Sequence, residues 1–129
     1  MSFEREMFES KPKVPRRRRK KPEMAVQKEI VECLISQLGA VVAVTDAGIL
    51  ARMGLNMSCG IPTGWPDIVA CLPSLGQFLG VECKAAKGVQ SDAQKRMQQR
   101  IEHAGGLYIV AHSLEEFKRE WGKLSPIYD

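Results

Sequence analysis

Apolar residues recur every three or four positions between residues 23 and 38, which is the spacing of an amphipathic helix. Pro22 suits the start of that helix and Gly39 its end. The apolar positions are Val26, Ile30, Val31, Leu34, Ile35 and Leu38. The β-branched run at 40–45 follows, and it predicts a short buried strand.

The rest of the chain alternates between strand and helix patterns. Residues 67–72 and 77–84 are apolar and flank the turn at 73–76, so they predict a β-hairpin. Ser91 and Gln94 form a capping box before a helix that ends at Gly105 and Gly106, and residues 107–111 predict a fourth strand. A second capping box at 113–116 opens a last helix. The predicted order is α-β-β-β-α-β-α, an α/β fold with a mixed four-stranded sheet flanked by helices.

Length and composition narrow the class of protein. The 129 residues suit one domain, and 44% hydrophobic with 26% charged residues is typical of a soluble globular protein. No apolar run approaches the ~18–20 residues that a membrane span needs, and the N-terminus is too charged for a secretory signal. The four cysteines include no C-x-x-C pair, so we expect free thiols in a reducing, intracellular compartment.

Positive charge is concentrated near the N-terminus. Residues 1–22 contain nine Lys/Arg and three Glu, whereas residues 23–129 contain ten Lys/Arg and twelve Asp/Glu, a net charge of −2. We interpret 1–22 as a mostly disordered basic arm, because its prolines oppose a continuous helix, and 23–129 as the folded domain. Such an arm could bind nucleic-acid phosphates, or act as a solubilising tail or localisation signal. Its centre is Arg16, Arg17, Arg18, Arg19, Lys20 and Lys21.

The strongest chemical signal is a pair of carboxylates on the predicted hairpin. Asp67 begins one strand, and Glu82 and Lys84 lie on the same face at the end of the next. Two carboxylates, with the backbone carbonyl of Cys83, suit a hard cation such as Mg²⁺. Such a cation would assist phosphodiester hydrolysis, with Lys84 stabilising charge or orienting water. An ordinary exposed ion pair is the alternative, but the strand is otherwise apolar and a Gly-x-Pro precedes Asp67.

Four segments in this order resemble the VRR-Nuc family of the PD-(D/E)XK, or restriction-endonuclease-like, superfamily. They are Gly64-Trp-Pro-Asp67, Val81-Glu-Cys-Lys84, Ser91-x-x-Gln94 and Gly105-Gly-Leu-Tyr-Ile-Val110. The resemblance covers roughly residues 23–121. It implies a restriction-endonuclease-like fold, metal ligation by Asp67 and Glu82, and a catalytic role for Lys84.

The same resemblance assigns further residues. Gln94 would order the site or contact the scissile strand, besides capping its helix. The family has an acid on its first helix, for which Glu23 is the best match, and Glu29 and Glu32 are the competing candidates. Trp65 is bulkier than the usual residue at its position, and it either stacks on a base or sugar or fills the rim of the core.

The resemblance also implies a function and partners. We expect an Mg²⁺- or Mn²⁺-dependent DNA endonuclease, selective for branched DNA such as Holliday junctions, in the cytoplasm of a bacterium or phage-infected cell. A catalytically silent nucleic-acid-binding module of this fold is the alternative. An active site at the edge of so small a fold reaches one DNA strand. Paired cuts would therefore need two copies of the chain, which predicts a homodimer. The segment 46–66 either forms that dimer contact through its methionines or covers the sheet of its own protomer.

Overall fold

The computed structural model describes the backbone of residues 13–45 and 61–124, with side chains from residue 24 onward. Within these residues the elements run in the predicted order. They are helix α1 (Lys13–Ser36), strands β1 (Val41–Val44), β2 (Ile68–Cys71) and β3 (Phe78–Cys83), helix α2 (Asp92–His103), strand β4 (Leu107–Ala111) and helix α3 (Leu114–Leu124). The predicted contact segment at 46–66 lies largely outside the described residues. In the described part of the chain, no helix has the length and apolarity that crossing a membrane requires.

The strands form one mixed sheet in the order β1-β2-β3-β4. β1 pairs antiparallel with β2, β2 pairs antiparallel with β3, and β3 pairs parallel with β4. The parallel pair needs a crossover, because two strands with the same direction cannot be joined by a tight turn. Helix α2 makes that crossover. The predicted α/β class with a mixed four-stranded sheet is confirmed.

Helix α1 begins earlier than the sequence predicted. The prediction that prolines before Glu23 prevent a continuous helix is wrong, because the helix runs from Lys13 through Pro15 and Pro22. Pro15 lies in the first turn, where backbone N–H groups have no partner within the helix in any case. Pro22 removes one hydrogen bond, a loss that the turns on either side of it tolerate. The boundary between arm and domain at 22/23 stays a prediction.

One face of the sheet forms the main core with α1 and α3. Alternate residues of β3 and β4 point to this face, where they pack against the apolar stripes of the two helices. The buried residues of this core are Ile30, Cys33, Leu34, Ala40, Ile68, Ala70, Leu72, Leu79, Val81, Cys83, Ile109, Ala111 and Phe117. Cys33, Cys71 and Cys83 are free thiols, and Cys59 lies outside the described residues.

The opposite face of the sheet carries α2 and a smaller core. Met97 and Ile101 of α2 pack with Tyr108, and Trp65, Phe78 and Val110 surround them. Glu82 is on this face too, since it alternates with Val81 and Cys83. The candidate site therefore lies on the α2 side of the sheet.

Strand β1 is not the buried strand that the sequence predicted. Its side chains are mostly exposed, and Val41 and Val44 keep 75% and 48% of their surface accessible. The reason is its place in the sheet: β1 is an edge strand, whereas β2 and β3 each have neighbours on both sides. A β-branched run predicts a strand but does not say whether the strand is central or at an edge.

The two predicted capping boxes differ in the structure. At α2 the box is complete: Ser91 Oγ accepts from the Gln94 N–H, and Gln94 Oε1 accepts from the Ser91 N–H. At α3 only half of it forms, since Ser113 Oγ accepts from the Glu116 N–H at 3.0 Å. The Glu116 carboxylate instead accepts from the backbone N–H of His112. The second capping box is therefore corrected to a serine cap.

Candidate active site on the α2 face

Two glycines fix the path of the chain into Asp67. Gly64 has φ +84°, and a Cβ there would lie 2.7 Å from the carbonyl carbon of Ala93 and 3.1 Å from the Gln94 nitrogen. Gly80 faces the ring of Pro66, whose Cγ would lie 2.9 Å from a Cβ on Gly80. Only hydrogen at these positions lets the segment lie against both α2 and β3. The Gly-x-Pro-Asp motif thus holds Asp67 against the sheet.

Asp67 and Glu82 lie side by side, as the predicted hairpin required. Ile68 pairs with Val81, so one further step along the antiparallel register puts Asp67 opposite Glu82. The backbone N–H of Cys83 donates to Asp67 Oδ2 at 2.9 Å. On the other side, the backbone N–H of Thr45 donates to the carbonyl of Asp67 at 2.7 Å. Asp67 is therefore fixed by Thr45, the residue after β1, and by Cys83 at the end of β3.

Glu82 is the buried charged residue of the described core, with 2% of its surface exposed. Burial is the main reason that its pKa is raised to about 9, and the neighbouring charge and hydrogen bond of Asp67 raise it further. Lys84 and the Tyr108 hydroxyl act in the opposite direction. A cation that approaches this carboxyl would stabilise its ionised form and so lower its raised pKa.

Lys84 and Gln94 complete a hydrogen-bonded network with Glu82. Lys84 Nζ lies 3.9 Å from Glu82 Oε2 and donates to Gln94 Oε1 at 2.8 Å. Gln94 Nε2 donates to Glu82 Oε2 at 3.0 Å. Because Gln94 Oε1 also accepts from Ser91, one side chain caps α2 and orders the site. Both roles considered for Gln94 from the sequence are compatible with this geometry.

Tyr108 is a site residue that the sequence analysis did not single out. Its hydroxyl donates to Glu82 Oε1 at 3.3 Å. Burial and the charge of Glu82 raise the pKa of this phenol, so the hydroxyl stays protonated and acts as a donor. The alternation of β4 could have identified it. Tyr108 pairs with Gly80 in the parallel register, which puts it on the same face as Glu82.

The connection between Lys84 and α2 is held by His112. Its Nε2 lies 2.7 Å from the carbonyl oxygen of Gly88, and its Nδ1 lies 2.7 Å from Glu116 Oε1. Hydrogen bonds to that carbonyl and to Glu116 raise the pKa of His112. Partial burial would raise the pKa of Glu116, but the hydrogen bonds from His112 outweigh it and lower that pKa. Two acceptors facing the two ring nitrogens favour the doubly protonated imidazolium.

The donor set fits a hard divalent cation. Asp67, Glu82 and the backbone carbonyl of Cys83 offer oxygen atoms, which Mg²⁺ and Mn²⁺ prefer over the thiol. Among the residues that the structure describes, no group of three or more His, Cys, Asp or Glu side chains is arranged to hold a metal ion. Asp67, Glu82 and this carbonyl would fill part of the coordination shell. This suits Mg²⁺, which usually keeps several waters.

The remaining predicted site residues are only partly described. The side chains of Glu23 and of the basic run Arg16 to Lys21 lie outside the described side chains, so their roles stay predictions. Glu29 and Glu32 are exposed on α1. Trp65 packs edge-on against Phe78, with ring centroids 5.8 Å apart. That contact puts Trp65 at the rim of the smaller core and leaves part of its surface accessible.

The comparisons with known proteins support the fold. No protein-family description matches the sequence, and no curated protein matches it. Among solved structures, one described as a VRR_NUC domain is similar, with a TM-score of 0.55 and 23% sequence identity. The match covers 84% of this chain and 98% of that one. The resemblance inferred from the four motifs is thus confirmed at the level of structure: this chain has the fold of a VRR-Nuc domain.

Proposed function

We propose that the protein is a VRR-Nuc family nuclease that hydrolyses phosphodiester bonds in DNA with the help of Mg²⁺ or Mn²⁺. The observation that carries the proposal is the buried carboxyl of Glu82 beside Asp67, in a network that also includes Lys84 and Gln94. Burial destabilises the charged form of this carboxyl and so raises its pKa, and groups with strongly shifted pKa values are concentrated at functional sites, where the shift has a use. Here the use is to bind a cation.

Each site residue has a defined part in this chemistry. Asp67 and Glu82 provide negative oxygens, and the peptide N–H of Cys83 orients the Asp67 carboxylate. When bound, the divalent cation supplies Lewis-acid polarisation of the phosphate and a lowered pKa for a coordinated water. Lys84 places a positive charge beside the carboxylates, where it would stabilise the negative charge that develops on the phosphate during hydrolysis. Gln94 holds the Lys84 ammonium by a 2.8 Å hydrogen bond and so limits its positions.

The charge of the chain and its VRR-Nuc fold support DNA as the partner. The run Arg16 to Lys21 offers six consecutive cations for phosphates, and binding of this kind does not depend on sequence. Selectivity for branched DNA, such as a Holliday junction, and assembly as a homodimer are the finer parts of the proposal. Two copies would present two sites to two of the four strands of one Holliday junction.

Glu82→Gln tests the proposal, because the amide keeps the shape of the side chain and removes its charge. Loss of a residue that merely orients a ligand typically costs about 10–100-fold, so loss of a ligand itself should lower cleavage by more than about a hundredfold. Cleavage of branched, duplex and single-stranded DNA is measured with Mg²⁺ and Mn²⁺. Circular dichroism checks that the variant is folded.

Glu115→Gln is the matched control, since Glu115 is an exposed glutamate on α3, across the sheet from α2. It should cleave like the wild type. Wild-type rates in Glu82→Gln would contradict the assignment of the site. Binding of branched DNA with no cleavage by the wild type in either metal would favour the silent binding module.

A further inference from the structure

Helix α2 has a basic outer surface next to the candidate active site. Arg96, Arg100 and His103 recur at spacings of four and three residues, so they share one face of the helix. All three are exposed, and neither arginine forms an ion pair with a described residue. This surface is not apparent from the overall charge, because residues 23–129 together have a net charge of −2. Arginines without an acidic partner are available to an anion.

An apolar cavity of about 320 Å³ opens beside this surface. Two aromatic rings, Trp65 and Phe78, line it together with Met97, Ile101 and Gly106. Arg100 and Ala104 line both this cavity and the neighbouring basic depression, which also includes Arg96 and His103. The volume of the apolar cavity is at the lower end of the range for small-molecule sites. A flat, apolar group would fit the cavity, and an anion attached to it would lie at the basic depression.

The cavity lies on the same side of the sheet as the candidate site. Phe78 and Glu82 are both on the α2 face of β3, and four residues of a strand span about 13 Å. Trp65 also precedes Asp67 by only two residues. Successive base steps of B-form DNA rise about 3.4 Å along the helix axis, so this separation corresponds to about four base steps of axial rise. One DNA strand can reach both.

We propose that the cavity and the adjoining arginines bind an unpaired nucleotide of the DNA substrate, with the base against Trp65 and the phosphates at Arg96 and Arg100. The inference rests on the proposed function and describes how the candidate active site would select its DNA substrate. Every base has a π-face that stacks on an aromatic ring. The phosphate attached to that base provides a negative charge for the arginines. A fully paired duplex keeps its bases stacked inside the helix and reaches only the arginines.

DNA binding in EDTA tests the arginines without any dependence on cleavage. The probe is a fluorescent duplex, either fully paired or with one unpaired nucleotide. Replacing both Arg96 and Arg100 by Gln should make the slope of log affinity against log salt shallower by about 1.8, at about 0.9 per phosphate contact. Arg119→Gln, an exposed arginine on α3 across the sheet, is the control and should change the slope little. An unchanged slope in the double variant would overturn the proposal.

Ala104→Phe tests the base site while keeping both arginines. Ala104 is exposed at the cavity and has ordinary helical backbone angles, so a larger side chain there fills the cavity without disrupting the core. The wild type should prefer the duplex with an unpaired nucleotide by about fivefold or more, the effect of one stacked base. Ala104→Phe should lose that preference and keep its affinity for the paired duplex. A wild type without the preference would refute the base site.

Tryptophan fluorescence identifies the occupant. In a Trp121→Phe variant, Trp65 is the remaining tryptophan, because the chain has two. The DNA with an unpaired nucleotide should quench its emission, and Ala104→Phe should abolish the quenching. Absence of quenching on binding would mean that something other than a base occupies the cavity. Since no metal is present, these results stand apart from the cleavage assay: loss of cleavage in Glu82→Gln leaves them unchanged.

Discussion

Replacing Gly64 by Ala should destabilise the fold and impair the site together. The backbone of Gly64 has φ +84°, a left-handed conformation that costs a residue with a Cβ about 1–2 kcal/mol. The added methyl would also meet the carbonyl of Ala93 and the nitrogen of Gln94, which are backbone atoms of the first turn of α2 and cannot rotate away. Overpacking of this kind costs about 1–3 kcal/mol. The free energy of unfolding should therefore fall by roughly 2–5 kcal/mol, a large part of the 5–15 kcal/mol typical of a domain.

Urea denaturation measures this loss, and Gly122→Ala supplies the control. A Cβ at Gly122 meets nothing within 4 Å, and the residue lies within α3, so the same substitution should be neutral or stabilise by up to about 1 kcal/mol. Where Gly64→Ala is still folded, its cleavage rate should be lower, because α2 must shift and carry Gln94 away from Glu82. A variant within about 0.5 kcal/mol of the wild type would show that this loop is not packed on α2 as described.

Three further results are expected. Lys84→Ala should leave Mg²⁺ affinity, measured by calorimetry, nearly unchanged while removing most turnover; a collapse of metal affinity would instead make the lysine structural. His112→Gln should be less stable than the wild type below about pH 6.5 by about 1 kcal/mol or less, since the imidazolium is partly exposed. The raised pKa of His112 means that this stabilisation is present below the unfolded-state pKa and is lost as the pH rises through the folded-state pKa. Thermal melts should therefore converge at higher pH, and a constant difference from pH 5 to 9 would contradict the charged pair. Sedimentation at micromolar concentration should show a dimer of the 14.4 kDa chain; a monomer with and without junction DNA would rule the dimer out.

Elements with strong local signals could be predicted from the sequence. The capping box at Ser91 and Gln94 defines the start of α2, and β3 is recognisable as a nearly continuous apolar run because both of its faces are covered. Two of the three corrections, at β1 and at α1, have a common cause. The place of β1 at the sheet edge depends on pairing with a distant segment, and the continuity of α1 through Pro22 depends on the whole helix rather than on the local preference of proline.

The residues of the candidate site also fall into two groups: those that local sequence patterns predict and those that depend on long-range contacts. Asp67, Glu82 and Lys84 could be grouped because strand alternation and the hairpin bring them together without any knowledge of the rest of the fold. The alternation of β4 gives the face on which Tyr108 lies, but its contact with Glu82 and the contacts of Gly64 arise only when β4 and α2 pack against the hairpin. Long-range contacts of this kind leave little trace in the local pattern of apolar residues.

The network around Gln94 explains why the start of α2 and the site depend on each other. Ser91 holds the Gln94 backbone, and the Gln94 side chain returns a hydrogen bond to Ser91 while it contacts Lys84 and Glu82. A helix cap commonly contributes about 1 kcal/mol, so local helix stability fixes the position of the amide in the site. Gly64 packs against this same turn, and the Gln94 side chain that the cap fixes holds Lys84 Nζ by a hydrogen bond. Under the proposed function, a lysine restrained in this way would begin the reaction close to the carboxylates, and little of its conformational entropy would remain to be lost when a phosphate binds.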